Sequence, residues 1–288
     1  MAFQDNLRGS LLMVGAMGAF ALEDMFLKSA ASELPVGQIL ILFGAGGMAI
    51  FLLLSLRRGE RLFHPGIASR ALIVRSICEV VGRLCFTLAI VLTPLSSASA
   101  ILQATPLVVT VGAVVFFGER VGWRRWLAIL IGFAGVTLIL RPGLSGFEPA
   151  SLFAVAGTLG FAGRDLATRA APPGMSNLQL GTYGFAMLIV AGAIALSYTG
   201  GAKLPSGAAW ASLAAATLIG VLAYNALTGA MRVGDVSVVA PFRYTRLVFA
   251  LFLGITVFGE RPDIWMLVGS AIVIGSGTFT MLRSKPRT

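Results

Sequence analysis

Five arginines and a few carboxylates stand inside long apolar stretches of this chain, where an unpaired charge is costly. The stretch RSICEVVGRLCF (75–86) carries Arg75, Glu79 and Arg83 at spacings of four. In a helix that spacing puts all three on one face. They then form either a salt-bridge ladder that eases insertion into an apolar medium, or the edge of a wet cavity. Arg75 lies near the end of the stretch and can reach the surface along its stem, which leaves Glu79 and Arg83 as the ligand-binding candidates. In APFRYTRLVF (240–249), Arg243, Tyr244 and Arg246 fall within one turn. Two guanidiniums so close need acidic partners or a bound carboxylate, and Tyr244 is placed to stack on a ligand or to anchor an interface. LAYNALTGA (222–230) adds Tyr224, Asn225 and Thr228, uncharged hydrogen-bonding groups that suit either interhelical contact or substrate contact. Glu23 with Asp24, and Arg164 with Asp165, are gating or coupling candidates. The plainer reading pairs Asp24 with Lys28 and Asp165 with Arg169, each four residues on.

This chemistry is recognition rather than bond-making. The single histidine, His64, falls in a basic loop. The sequence has no G-x-S-x-G, H-E-x-x-H, phosphate loop or Cys/His metal cluster. No cofactor, no metal and no catalytic residue is expected. A membrane enzyme and a channel are the weaker alternatives, since no carbonyl filter or charged-ring repeat is visible either.

The elements that must hold these residues follow from composition. The 288 residues are 57% hydrophobic and 12% charged, with a mean hydropathy of +0.89, against about 25% charge in soluble domains. Windows of about 20 apolar residues give ten spans: 7–28, 34–56, 70–92, 95–117, 123–140, 149–170, 176–199, 207–232, 235–258 and 263–283. The first is read as a span and not a signal peptide, because Glu23 and Asp24 interrupt the approach to the small-residue run SAAS (29–32). Cys78 and Cys85, seven apart, are about 10 Å apart along a helix, too far for a disulfide. With the N-terminus inside, thirteen Lys and Arg fall in inner segments and four in outer ones. That bias places both termini in the cytoplasm. The net charge of +10 then belongs to cytoplasmic loops, not to a nucleic-acid surface.

A shift of 141 residues aligns two long segments without a gap. AIVLTPLSSASAILQATPLVVTVGAVVFFGER (89–120) lies over AMRVGDVSVVAPFRYTRLVFALFLGITVFGER (230–261). The same shift lays Phe20 on Phe161, Asp24 on Asp165 and Lys28 on Arg169. Each half, 1–145 and 146–288, then holds five spans. Five is odd, so the halves enter the membrane from opposite sides, as in many secondary transporters.

Those paired segments resemble the drug/metabolite transporter superfamily, EamA-repeat type, over essentially the whole chain. Among its branches the sequence looks most like the YddG-type amino-acid exporters, and riboflavin and S-adenosylmethionine carriers look similar too. The resemblance implies ten helices around a central cavity, with both termini cytoplasmic. The expected protein is an all-α, ten-helix, multi-pass monomer of a bacterial-type inner membrane. Its expected partners are the lipid bilayer and a small molecule. Its expected activity is export of amino acids, aromatic ones included, and similar amphipathic metabolites by alternating access; the alternative is import of a larger metabolite such as riboflavin or S-adenosylmethionine.

Pro106 and Pro241 lie inside spans four and nine and should break them, although the shift does not superimpose them. The 35 glycines, well above the usual share of about 7%, include Gly44 with Gly47, Gly132 with Gly135, and Gly275 near Ala271, placed to let helices approach closely. The two FGER copies, at 117–120 and 258–261, read as turns: glycine ends a helix, and Glu and Arg meet water or pair at the surface.

Overall fold

The structure is a computed structural model and describes residues 2–60, 65–118, 122–141, 148–170, 175–233 and 239–282. Among these, eleven α-helices form ten spans, and no strand occurs. They are α1 (Ala2–Ala30), α2 (Val36–Arg57), α3 (Arg70–Leu92), α4 (Leu95–Leu102), α5 (Thr105–Phe117) and α6 (Trp123–Leu140). The second half holds α7 (Ser151–Arg169), α8 (Asn177–Thr199), α9 (Gly207–Val233), α10 (Thr245–Phe258) and α11 (Ile264–Leu282). Five spans are long and apolar enough to cross a membrane by composition: 4–30, 36–57, 95–117, 177–199 and 207–230. α3 and α7 are absent from that set because they carry the charges of the candidate site.

Local sequence explains where the helices start and stop. The Ser69 hydroxyl accepts the Leu72 N–H at the start of α3. Ser176 and Gln179 close a capping box on α8. Gly118 (φ 63°) and Gly259 (φ 64°), the glycines of the two FGER copies, end α5 and α10 in the left-handed region, which costs glycine nothing sterically.

Span four breaks at Gln103–Ala104, between α4 and α5, with Pro106 in the first turn of α5. A missing N–H is harmless in a first turn. Span nine begins as a 3-10 turn, Ala240–Tyr244, with Pro241 at its start, and becomes α10 at Thr245. The shift of 141 lays the Gln103–Ala104 break on Tyr244–Thr245. The prolines do not coincide, but the breaks do. At each break a threonine hydroxyl donates to a carbonyl three residues back: Thr105 to Leu102 at 2.6 Å, whose usual donor position is Pro106, and Thr245 to Phe242 at 2.7 Å, which also accepts a backbone N–H.

The packing has the two-fold pattern an inverted repeat requires. α1 packs on α9, α2 on α8, α3 on α7 and α6 on α11; exchanging the halves maps this set onto itself. Apolar burial alone separates helices weakly from lipid, so close backbone approach carries much of the association. A Cβ on Gly160 would lie 2.5 Å from the Gly82 Cα, and one on Gly37 would lie 2.5 Å from the Leu196 nitrogen. Gly44, Gly47, Gly132 and Gly135 likewise face neighbours closer than 3 Å, but Gly275 faces nothing within 4 Å. Gly275 is therefore not a packing glycine. The perimeter is apolar: Phe116, Trp123, Leu130, Leu222 and Phe252 are each more than half exposed, as a lipid-facing surface requires.

Candidate functional site

Hydrogen bonds between the halves define the two faces. At one face the Glu33 carboxylate accepts the Ser206 N–H and hydroxyl, and Gln38 exchanges two bonds with the Lys203 backbone. Arg141 pairs with Asp263 there, and Glu260 reaches the start of α4. At the other face, where α1 begins and α11 ends, Glu60 accepts from the Ser176 hydroxyl at 2.5 Å.

A cavity of about 620 Å³ lies between the halves. Its walls come from mid-depth, with Met17 to Glu23 of α1 and Leu102 to Thr110 around the α4–α5 break, and from the middle and termini-side parts of other spans: Arg75 to Phe86 of α3, Phe161 to Thr168 of α7, Asn177 to Leu188 of α8, and Gly220 to Thr228 of α9. The cavity therefore runs from mid-depth toward the face that carries the termini.

Of the pairings expected along single helices, Arg75–Glu79 forms, whereas Glu79–Arg83 and Asp24–Lys28 do not. Arg83 leaves the α3 ladder and donates to Glu23 Oε1 of α1 at 2.8 Å, with its guanidinium 5.4 Å from the Phe43 ring. Glu79 faces Arg164 of α7 at 3.5 Å and Arg75 at 4.0 Å. Asp24 pairs not with Lys28 but with Arg246 of α10, at 2.6 Å. Arg246 lies 5.2 Å from the Phe20 ring and 5.6 Å from Phe86. Asp165 pairs with its own neighbour Arg164 at 2.8 Å; the Arg169 side chain lies outside the described residues. Lys28 instead donates to the Ile90 and Thr93 carbonyls at 2.8 and 2.6 Å. One physical reason covers the pairs that cross between helices, Arg83–Glu23, Arg164–Glu79 and Arg246–Asp24. A buried charge takes whichever partner removes it furthest from lipid, and that partner sits on a facing helix.

Glu79, Arg83, Glu23, Arg164, Asp165, Tyr224, Thr228, Arg243, Arg246 and Pro106 line the cavity. Tyr224 stands edge-on to Phe51 at 5.3 Å. Asn225 and Thr228 bond carbonyls of their own helix, at Val221 and Tyr224. Asn225 borders a smaller pocket of about 250 Å³ with Arg58 and Asn177, not the main cavity. Asp24 is fully buried behind the wall. Tyr244 is also buried, against Gly277 rather than in the cavity wall. Pro241 takes part through the backbone break, and its side chain lies outside the described residues.

Sequence reasoning set aside Arg75 as a snorkelling residue. It is instead 4% exposed and donates to the Thr168 hydroxyl at 3.0 Å and the Leu180 carbonyl. Its place within the periodic Arg-Glu-Arg face was the available signal. Phe20, Phe86, Phe161 and Gln103 also line the cavity. Among them, the pairing of Phe20 with Phe161 by the repeat was legible. Each lies under an arginine, Phe20 under Arg246 and Phe161 under Arg164, at 5.2 and 4.8 Å.

Five arginines and three carboxylates face the space, with Asp24 immediately behind. Arg243 has no ion-pair partner among the described residues. Glu23 Oε2, 1% exposed as a residue, is buried with no hydrogen-bond partner among them. The arrangement offers a carboxylate acceptor, free guanidinium capacity and aromatic faces within one cavity, which suits a molecule carrying both charges and an apolar body. Among the described residues no group of three His, Cys, Asp or Glu side chains could hold a metal.

Comparison with known proteins agrees with this geometry. Residues 7–141 and 149–282 each match the model of the EamA-like transporter family. A riboflavin transporter of Rhizobium johnstonii is 28% identical over 275 residues, covering 95% of this chain and 90% of that one. An S-adenosylmethionine uptake transporter of Rickettsia felis is 28% identical over 214 residues, 74% of this chain and 72% of that one. The pseudopaline exporter of Pseudomonas aeruginosa is 26% identical over 269 residues, 92% and 93% of the two chains. A solved crystal structure superposes with a TM-score of 0.62 at 19% identity, covering 96% of each chain, a likeness of fold.

Proposed function

Because the chain belongs to the EamA-like transporter family, we propose that it exports amino acids, aromatic ones included, and similar small amphipathic metabolites by alternating access. It is a transporter and not an enzyme. The observation that carries the substrate reading is the cavity: charges of both signs and phenylalanine faces in one space of about 620 Å³. In this reading an ammonium group meets Glu23 Oε2 and Glu79, and a carboxylate meets Arg243. The side chain rests on Phe20, Phe86 or Phe161. Residues 1–145 and 146–288 are the two repeats that rock about the cavity. The excess of Lys and Arg supports cytoplasmic termini, and in that orientation the cavity of this monomeric carrier of the bacterial inner membrane faces inward.

The test is a substrate panel in proteoliposomes, with and without an imposed proton gradient. Saturable counterflow of aromatic amino acids supports the reading; counterflow of none of the amino acids rejects it. The volume favours a second reading, uptake of a larger metabolite such as riboflavin or S-adenosylmethionine. It lies within the range of about 300–1,000 Å³ that holds drug-sized ligands, and relatives carry those names. Both belong in the same panel.

A further inference from the structure

The Glu260 of the second FGER copy is not a surface residue. Its side chain is 8% exposed. Its carboxylate accepts the Leu95 N–H at 2.5 Å, the Ser96 N–H at 3.0 Å and the Ser96 hydroxyl at 2.7 Å. These are first-turn N–H groups of α4, which have no partner inside the helix, and a carboxylate there also meets the positive end of the helix dipole. Lys28 stands 3.7 Å from Glu260 Oε1 and holds the Ile90 carbonyl of α3 and the carbonyl of Thr93, which caps that helix. One carboxylate and one ammonium thus close the α3–α4 corner from both sides. Glu260 belongs to the second half of the chain and α4 to the first, so the contact joins the halves at the face away from the termini.

α4 also touches the cavity. Its eight residues end at Leu102, and Leu102 and Gln103 line the cavity wall. The helix is therefore a short rod with one end at the ligand space and the other in the grip of Glu260. Its middle is sealed: Ala98, Ser99 and Ala100 have no exposure.

We propose that Glu260 is the clasp that closes the face opposite the termini, and that its release from the α4 N-terminus is the step that opens the cavity to that face. The proposal rests on the alternating-access reading. It adds a conformational role for a residue outside the ligand site, and it makes α4 the part through which cavity and clasp act on each other. Three charge-assisted bonds are strong enough to bias such an equilibrium and few enough to be broken in each cycle.

The test uses a reporter thiol at position 99 (Ser99→Cys) in the full chain, with Cys78→Ser and Cys85→Ser. A membrane-impermeant maleimide is applied to intact cells and, separately, to inverted vesicles. Glu260→Gln replaces one acceptor oxygen with an amide that opposes the α4 N–H groups. Labelling from the face opposite the termini should rise about tenfold, the change that one lost hydrogen bond to a charged group supports. Glu260→Asp should fall between Glu260→Gln and the unaltered residue. Unchanged labelling in folded Glu260→Gln overturns the clasp. Should that variant fail to insert, Ser96→Ala removes only the hydroxyl; a rise of about threefold supports the clasp, and no rise overturns it. Counterflow on the same samples separates the two levels. Transport with a clasp-independent thiol rejects this proposal alone. A thiol that stays unlabelled from that face in every variant, with no transport of the panel, rejects the alternating-access reading beneath it.

Discussion

Removing the Arg83 guanidinium should destabilise the protein, and removing its partner as well should restore much of the stability but none of the transport. Arg83 and Glu23 meet at 2.8 Å with side chains 14% and 1% exposed. Arg83→Gln leaves the Glu23 carboxylate buried beside Asp24, whose own partner Arg246 is already engaged. Truncating one member of a buried pair costs about 3–5 kcal/mol. Protonating the stranded carboxylate offers an escape. From an ordinary Glu pKa of about 4.3 to pH 7 that costs roughly 4 kcal/mol at about 1.4 kcal/mol per unit, so the range is not lowered much. In Arg83→Gln with Glu23→Gln two amides can share one hydrogen bond, and no unpaired charge is left buried, which is the main cost of the single change. The expected coupling is at least about 2 kcal/mol. Thermal unfolding in detergent, followed by the fluorescence of the four tryptophans, should give the order unaltered protein, double variant, single variant. Counterflow should be low in both variants, because both lose the charges that face the ligand space. A single variant as stable as the unaltered protein would refute the buried pairing. Wild-type counterflow in the double variant would refute the ligand-facing role of both residues.

Arg243→Gln should leave thermal stability unchanged, since no described carboxylate depends on it, and raise the KM for carboxylate-bearing substrates about ten- to hundredfold; equal KM values would remove it from the site. Gly160→Ala should cost about 1–3 kcal/mol of stability, because the new Cβ meets the Gly82 backbone rather than a movable side chain, whereas Gly275→Ala should be tolerated; equal melting shifts for the two would contradict this packing. The Ser206 hydroxyl and N–H hold the Glu33 carboxyl below its ordinary value. A depressed value means that the stabilisation is present above the ordinary carboxylate range and is lost as pH falls through the folded-state value. Hydrogen exchange at the Ser206 amide should therefore speed up at acid pH relative to its intrinsic rate, and Glu33→Gln should abolish that extra dependence.

Spans were legible because their cause is local. Twenty apolar residues must form a helix in lipid whatever surrounds them, and the expected spans match the observed ones to within a few residues at most boundaries; the expected start of span nine at 235 and end of span ten at 283 lie outside the described residues. The larger difference is at 7–28, where α1 begins at Ala2. The polar N-terminal turn was excluded on composition, yet a helix can extend beyond the apolar thickness without cost. The breaks in spans four and nine were half legible. Proline marked each span, but the coincident position came from the repeat geometry and the threonine bonds, which proline spacing does not encode.

The site divides along the same line. Which residues face inward was legible, because a charge inside a span has only one direction that avoids lipid. Which charge meets which was not, because spacing along one helix favours i, i+4 partners while the fold supplies nearer partners across helices. Asp24 had Lys28 one turn away and took Arg246 instead; Lys28 took the carbonyls at the end of α3. FGER shows the limit most clearly. Its glycine was read correctly because a left-handed helix end is a backbone property of one residue. The glutamate of its second copy, Glu260, was misplaced at the water surface because its partners, Leu95 and Ser96, lie 165 and 164 positions away; Glu119 and Arg120 of the first copy lie outside the described residues. A turn residue can do long-range work when the chain returns to it, and in an inverted repeat the ends of broken helices are where the chain returns.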